Sequence, residues 1–192
     1  MARAPHRAAY GYGRNMEVKG QAVGGVRLRR WTDADLPILE GSNTAEMTRF
    51  LGGPESEPQL RHRHEVYLRG WDAGTSRMFA IVGARGEPLG GIGVWGSGLP
   101  NGPDAWETGW SVLPHAQRKG VAKAALALLV EDLKSRIARG DAAQQPLAAF
   151  PSVANTASNA LCRGAGFAWT STIVEEFRGV QLTLNVWVLD LS

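Results

Sequence analysis

A short basic loop joins a strand to a long helix near the middle of the chain. Residues 105–113 alternate roughly in period two, which is typical of a strand, and apolar residues between Ala122 and Ile137 recur at three- and four-residue steps, which is typical of a helix. Arg139 in the last turn and the glycine after it end such a helix. The first turn of a helix offers unpaired N–H groups and a positive dipole end. The pattern therefore predicts a strand, a loop ending at Gly120 and a helix whose first turn suits a phosphate.

The loop carries the pattern Gln117-x-x-Gly120-x-Ala122. It is not a Walker phosphate loop, because Lys119 precedes the last glycine instead of following it. The pattern resembles the Q/R-x-x-G-x-G/A signature of the GNAT superfamily, the acyl-CoA-dependent N-acyltransferases, in which this loop cradles the pyrophosphate of coenzyme A. Without a second motif, an ordinary strand–helix turn with a solvated Arg118 would also explain it.

A second motif follows the short apolar run 146–150. Asn155 and Ser158 are followed by the Gly166-Phe167 pair. This spacing resembles the N-x-x-S-x-x-x-x-x-x-x-G-F pattern of one GNAT branch, which includes the acetyltransferases acting on the N-terminal alanine of ribosomal proteins. The two motifs stand in the family's order, and the resemblance covers residues 26–191.

The patterning together with the resemblance predicts the α+β class. The GNAT fold implies a mixed, mostly antiparallel sheet of six to seven strands flanked by helices, with two splayed parallel central strands. The expected elements are a first strand at 26–31, a helix opened by the capping box Ser56–Gln59, a hairpin at 78–82 and 89–95, parallel strands at 105–113 and 146–151, and a closing hairpin at 169–174 and 180–189. At 192 residues the chain suits one domain, which we place at 26–192 after a flexible basic leader at 1–25.

The positive net charge comes from one end of the chain. Residues 1–30 hold seven Lys or Arg against one acid, whereas the remainder has an excess of three acids, so a general nucleic-acid surface is not implied. A single cysteine excludes an internal disulfide and fits a reducing compartment. No apolar run approaches the ~18 residues of a membrane span. We therefore expect a cytoplasmic protein with neither nucleic acid nor a membrane as partner.

The resemblance implies a binding site for acetyl-CoA. As co-substrate, acetyl-CoA would enter the gap between the strands 105–113 and 146–151, with backbone groups near Val112 pairing with pantetheine and an N–H polarising the thioester carbonyl. Asn155 would hydrogen-bond the cofactor arm. The residues implied to bind are Val112, Leu113, Gln117, Arg118, Lys119, Gly120, Val121, Ala122 and Asn155.

The implied catalytic residues are Glu107 and Ser158. A glutamate near position 107 often takes the acceptor's proton in this family, and the alternation of the strand places Glu107 on a face with small residues. The alternative is a solvated strand glutamate or an ion-pair partner. Many GNAT enzymes carry a tyrosine that protonates the leaving thiolate where this chain has Cys162, so Ser158, Cys162 and water remain candidates for that proton. Arg118 stands where the branch usually has glycine.

These motifs predict an N-acetyltransferase that uses direct attack in a ternary complex. The acceptor is either a protein N-terminus or a small-molecule amine, no metal is expected, and a homodimer is left open. The alternative is a non-catalytic acyl-CoA sensor or partner module, favoured by the absence of the tyrosine. His64 is another candidate for the acceptor cleft, either as a contact or as a packed helix residue. Among the tryptophans, Trp71 and Trp106 are better placed for a cleft. The others that fall on expected strands are expected in the core: Trp31, Trp95, Trp110 and Trp187.

Overall fold

The computed structural model describes residues 24–192, so nearly all of the expected leader at 1–25 lies outside the described residues. In chain order the strands are β1 Arg27–Arg30, β2 Ser76–Val82, β3 Pro88–Gly98, β4 Asp104–Val112, β5 Leu147–Ala149, β6 Ala168–Phe177 and β7 Val180–Leu189. The helices are α1 Leu36–Ser42, α2 Ala45–Thr48, α3 Glu57–Ala73, α4 Val121–Ala138 and α5 Thr156–Gly164. Two short 3-10 helices, Asp33–Asp35 and Pro114–Ala116, precede α1 and α4.

The seven strands form one sheet in the order β1-β2-β3-β4-β5-β7-β6. The pairing of β4 with β5 is parallel, and every other neighbouring pair of described strands is antiparallel. Helices flank this sheet, so the expected α+β class with two parallel central strands is confirmed. The parallel pair is possible because α4 carries the chain back along the sheet between β4 and β5.

Local sequence signals set the ends of the longest helices. The capping box of Ser56 and Gln59 begins α3, and Gly74 ends it in the left-handed conformation at φ 66°. The apolar stripe of α4 faces the sheet, where Leu126 and Leu129 are fully buried. The start of α4 is different, because its N-cap residue Gly120 has no side chain to cap the first turn.

The two faces of the sheet bury separate cores. One core joins α4 and α5 to the sheet and includes Trp106, with Trp110 and Val112 packed against it. The other joins α1 and α3 to β2, and includes Trp31, the residue after β1. Side chains alternate along a strand, so Glu107 of β4 points away from the α4 core and towards the face that carries α1 and α3.

The tryptophans separate into core and surface positions. Trp31 and Trp187 are buried, as expected, whereas Trp169 is more than half exposed. The expectation that Trp106 lines a cleft is wrong, because its side chain is fully buried and its indole N–H donates to the carbonyl of Ala143 at 3.0 Å. Trp71 is half-buried and donates to the carbonyl of Met78 at 2.6 Å.

The described residues were also compared with the requirements of a membrane-spanning helix and of a metal site. No helix within residues 24–192 is both long and apolar enough to cross a membrane. Over the same residues, no three His, Cys, Asp or Glu side chains are grouped so that they could hold a metal ion.

Candidate active site

The parallel strands β4 and β5 part after two paired positions. Trp106 lies beside Leu147 and Glu107 beside Ala148, and the main-chain N–H of Trp106 donates to the carbonyl of Pro146 at 2.9 Å. β5 then ends at Ala149, while β4 continues to Val112. A gap therefore opens between the two chains from Glu107 onwards.

The chain after β5 turns away from β4 and follows β7. The carbonyl of Pro151 accepts the N–H of Asn185 at 2.9 Å, and the N–H of Val153 donates to the carbonyl of Thr183 at 3.0 Å. These bonds hold one arm of the gap against β7. The other arm, the second half of β4, is held against β3 by pairing that continues to Gly90 and Val112.

The arm formed by β4 presents backbone groups to the gap. The N–H of Trp106 points to β5, whereas the N–H of Leu113 points to β3 and donates to Leu89 at 2.8 Å. Because successive residues of a strand direct their polar groups to opposite sides, Trp110 and Val112 direct theirs into the gap. This edge can pair with an extended ligand as a further strand would.

The loop between β4 and α4 lies at the open end of the gap. Residues 117–120 are exposed, and two of them have left-handed backbone conformations, Arg118 at φ 59° and Gly120 at φ 77°. Arg118 tolerates this conformation with its side chain in solvent, whereas glycine adopts it without steric cost. The side chain of Gln117 turns back, and its amide donates to the carbonyl of Val112 at 3.0 Å.

The beginning of α4 fits an anionic group. A Cβ built on Gly120 would meet nothing within 4 Å, so the backbone there faces open space. No side chain caps the first turn, which leaves its N–H groups directed towards that space. Together with the positive end of an 18-residue helix, this arrangement can hold the pyrophosphate of acetyl-CoA.

The second arm of the gap leads to α5. Asn155 caps this helix, with its Oδ1 accepting the N–H of Ser158 at 3.1 Å, and no hydrogen bond from its Nδ2 to another described residue is found. The amide can therefore cap the helix through its oxygen and donate to a cofactor through its nitrogen. Ser158 is half-buried in the first turn.

The residue in the family's tyrosine position points into the core. Cys162 is fully buried among residues of the α4 core. Burial raises the pKa of the Cys162 thiol to about 12. The thiol is thus neither presented to the gap nor readily ionised.

Glu107 lies where β4 and β5 part. Its carboxylate oxygen Oε2 accepts a hydrogen bond of 2.8 Å from the hydroxyl of Ser97 on β3. The face around it matches the sequence prediction: Gly109 and Ser111 are on the same side of β4, and the ring of Trp95 lies over Gly109, 3.1 Å from the position of a Cβ there.

The closing hairpin contacts the loop that precedes α3. Arg178, in the turn between β6 and β7, donates to the carbonyls of Gly53 at 3.2 Å and Pro54 at 2.9 Å. This contact joins the loop after α2 to the closing hairpin. His64 is buried, and its Nδ1 accepts the indole N–H of Trp31 at 3.0 Å, so it is a packed helix residue.

Three residues of this region, Ser97, Arg178 and Asn159, are not apparent from the sequence. Ser97 contacts Glu107 through strand pairing, Arg178 bridges segments more than 120 positions apart, and Asn159 links α5 to β7 by accepting from Asn185 and Trp187, each at 2.8 Å. The left-handed turn formed by Arg178 and Gly179 resembles many surface turns, and the partners of Ser97 and Asn159 are distant in the chain. No local pattern singles them out.

A family model described as an acetyltransferase (GNAT) domain matches residues 26–168, most of the chain. A comparison with curated proteins gives no match.

Solved structures share the fold at low sequence identity. The acetyltransferase from Salmonella typhimurium that modifies the N-terminal serine of ribosomal protein L7/L12 is 18% identical, with a TM-score of 0.71 over 90% of this chain and 98% of that one. Spermidine N-acetyltransferase from Vibrio cholerae, solved with coenzyme A and spermine, is 18% identical, with a TM-score of 0.66 over 88% and 97%. The protein yncA from Salmonella typhimurium, solved with acetyl-CoA, is 21% identical, with a TM-score of 0.67 over 88% and 95%.

Proposed function

The chain belongs to the GNAT acetyltransferases, which use acetyl-CoA as co-substrate, and we propose that it transfers the acetyl group to a primary amine by direct attack in a ternary complex. The observation that supports this most is the gap that opens between β4 and β5 at Glu107. It combines a strand edge for pantetheine, a helix N-terminus for pyrophosphate and a carboxylate at the narrow end.

Different residues are proposed to bind different parts of acetyl-CoA. We assign the pyrophosphate to the loop Gln117–Ala122, where Arg118 and Lys119 add attraction for a polyanion. Backbone groups of Trp110 and Val112 pair with the pantetheine arm, and Asn155 donates to it from the opposite side. Leu113 and Val121, at the two ends of this loop, are both buried.

The residues at the narrow end carry the proton transfers. Glu107 removes a proton from the amine as its nitrogen bonds to the thioester carbon, and an N–H of β4 stabilises the negative charge that develops on the carbonyl oxygen. The carbon–sulfur bond then breaks, and Ser158 donates or relays a proton to the departing thiolate. Cys162 is not assigned this step, because its thiol is buried and its pKa is raised to about 12.

The acceptor approaches on the face of the sheet that carries α1 and α3, where Glu107 points. Relatives with this fold act on a protein N-terminus or on spermidine, and this chain's acceptor is proposed to be one of these two kinds, a protein N-terminus or a small-molecule amine. The cytosolic location, the homodimer and the exclusion of nucleic acid and membrane partners stay predictions.

Release of coenzyme A thiol from acetyl-CoA tests this function. The panel of acceptors contains peptides beginning with Ala or Ser, the same peptides with a blocked N-terminus, spermidine and lysine. We expect steady release with at least one free amine and none with its blocked form. Tight binding of acetyl-CoA without release for any amine would contradict catalysis of this reaction.

A further inference from the structure

The register of β3 and β4 places a serine beside the proposed base. Trp95 lies opposite Glu107, and Ser97 lies opposite Ala105, two paired positions further along. Residues two apart on a strand share a face, so the side chain of Ser97 is the diagonal neighbour of Glu107. Its hydroxyl donates to Oε2 of Glu107 at 2.8 Å.

Two residues paired with Glu107, Trp95 on β3 and Ala148 on β5, flank it on this face. On the β3 side, the indole of Trp95 extends along β4 over Gly109, where any larger residue would displace it. On the β5 side, the partner of Glu107 is Ala148, which is fully buried and contributes only a methyl group. Neither of these two side chains hydrogen-bonds the carboxylate, whereas the hydroxyl of Ser97 contacts it directly and can fix its orientation.

The orientation matters because β5 ends one residue after Ala148, the partner of Glu107. Beyond Ala149, none of the described strands lies beside β4 on its β5 side, so the side chain of Glu107 lies at the edge of the gap. A proton acceptor must lie within hydrogen-bond reach of the amine in the reactive arrangement, and a hydrogen bond from Ser97 reduces the number of orientations that the carboxylate can adopt.

We propose that Ser97 is a positioning residue, which holds the carboxylate of Glu107 at the point where β4 and β5 part. This inference rests on the proposed function, because it assigns Ser97 a role that acts through Glu107. Ser97 does not touch the acceptor or acetyl-CoA. Its contribution is to keep the base aligned before the amine arrives.

A double-mutant cycle tests the proposal on the full-length protein. Ser97→Ala, Ser97→Thr, Glu107→Gln and the Ser97→Ala/Glu107→Gln double variant are compared for kcat, acceptor KM, acetyl-CoA affinity and melting temperature. Thr172→Val is the matched control, because it removes a hydroxyl that donates to Asn185 at 2.9 Å on the distant strand β6.

We expect Ser97→Ala to lower kcat about tenfold, with acetyl-CoA affinity and melting temperature close to those of the unmodified protein. Ser97→Thr should restore most of the rate because it retains the hydroxyl, and Thr172→Val should leave kcat unchanged. In the Glu107→Gln background, the further loss caused by Ser97→Ala should shrink to less than about twofold, since residues that act together are not additive.

Each contrary result has a distinct meaning. If Glu107→Gln lowers kcat but Ser97→Ala does not, the base remains and the positioning role of Ser97 is wrong. Equal losses from Ser97→Ala in both backgrounds would show that Ser97 acts independently of Glu107, which also overturns it. If Glu107→Gln leaves kcat unchanged, the base assignment fails, and with it the role of Ser97.

Discussion

The side-chain amide of Gln117 donates to the main-chain carbonyl of Val112 across 3.0 Å. The same nitrogen lies 3.0 Å from the sulfur of Met47 on α2. These contacts tie the exposed loop to the end of β4, and they hold it in place before acetyl-CoA binds. The carbonyl of Val112 points into the gap, so the amide of Gln117 occupies the polar edge that we assign to pantetheine. If pantetheine pairs there as we propose, it shares or replaces this contact.

Gly120→Asp should weaken acetyl-CoA binding tenfold or more, over ~1.4 kcal/mol, because it brings a negative charge against the pyrophosphate. Gly120→Asn is the matched control: it has nearly the same shape and tolerates the left-handed conformation equally well, but it is uncharged. Calorimetric titration with acetyl-CoA at low and high salt measures the difference. Equal affinities for the Asp and Asn variants would place the pyrophosphate away from this loop.

Arg118 should respond to substitution according to its backbone conformation rather than its packing. Its φ of 59° is strained for a β-branched residue and free of strain for glycine. We expect Arg118→Val to lower the free energy of unfolding by about 1–2 kcal/mol and Arg118→Gly to leave it nearly unchanged. Urea unfolding measures both, and a more stable valine variant would show that the loop does not hold this conformation.

Substitutions of Ser158 and of Cys162 should have different effects on kcat. Ser158→Ala should lower kcat about tenfold or more if the serine handles the leaving thiolate, and Ser158→Thr should retain most of the rate. Cys162→Ala should leave kcat near that of the unmodified protein but lower its stability, because it opens space in a fully buried position. The reverse pattern would assign the proton to the cysteine, and unchanged rates for both variants would assign it to water.

The burial of Cys162, the single cysteine of the sequence, can be tested directly. A disulfide reagent that absorbs when it reacts with thiols should modify Cys162 only after urea unfolds the protein, because the side chain is fully buried and its pKa is raised to about 12. Rapid modification of the folded protein at neutral pH would contradict this position for Cys162.

Asp35 should make stability depend on pH in the acid range. Burial favours its protonated form, but hydrogen bonds from Arg29 and Thr32 outweigh burial and lower the pKa of Asp35. A lowered pKa in the folded state stabilises the protein above the usual range of aspartate, and this contribution is lost as pH falls through the folded value. We expect Asp35→Asn to reduce the free energy of unfolding by about 1–3 kcal/mol at neutral pH.

Melting curves of the Asp35→Asn variant and of the unmodified protein, recorded at neutral and acid pH, measure this difference in stability. The gap between Asp35→Asn and the unmodified protein should narrow as the pH falls below 4, roughly where an unperturbed aspartate is protonated. Asp33→Asn is the control, because Asp33 is two residues away and its side chain is 95% exposed. A constant gap at all pH values would mean that the ion pair with Arg29 does not contribute.

The sequence by itself determined the elements whose signals are local. The alternation of 105–113, the stripe of α4 and the turn between β2 and β3 predict their own structures, because period, caps and turn residues act within a few positions. The two motifs around Gly120 and Asn155 also indicated the family, which the family model confirms. These expectations required no knowledge of which segments meet.

Only the tertiary structure decided which residues the site brings together. The pairing of β4 with β5 stops after two positions, Ser97 meets Glu107 across β3 and β4, and Trp106 and Cys162 face the α4 core instead of the gap. Strand register, burial and the point where two strands part depend on contacts between segments far apart in the chain. A local period reports that a residue belongs to a strand or helix face, but the packing of the whole sheet determines whether that face meets a core or a substrate.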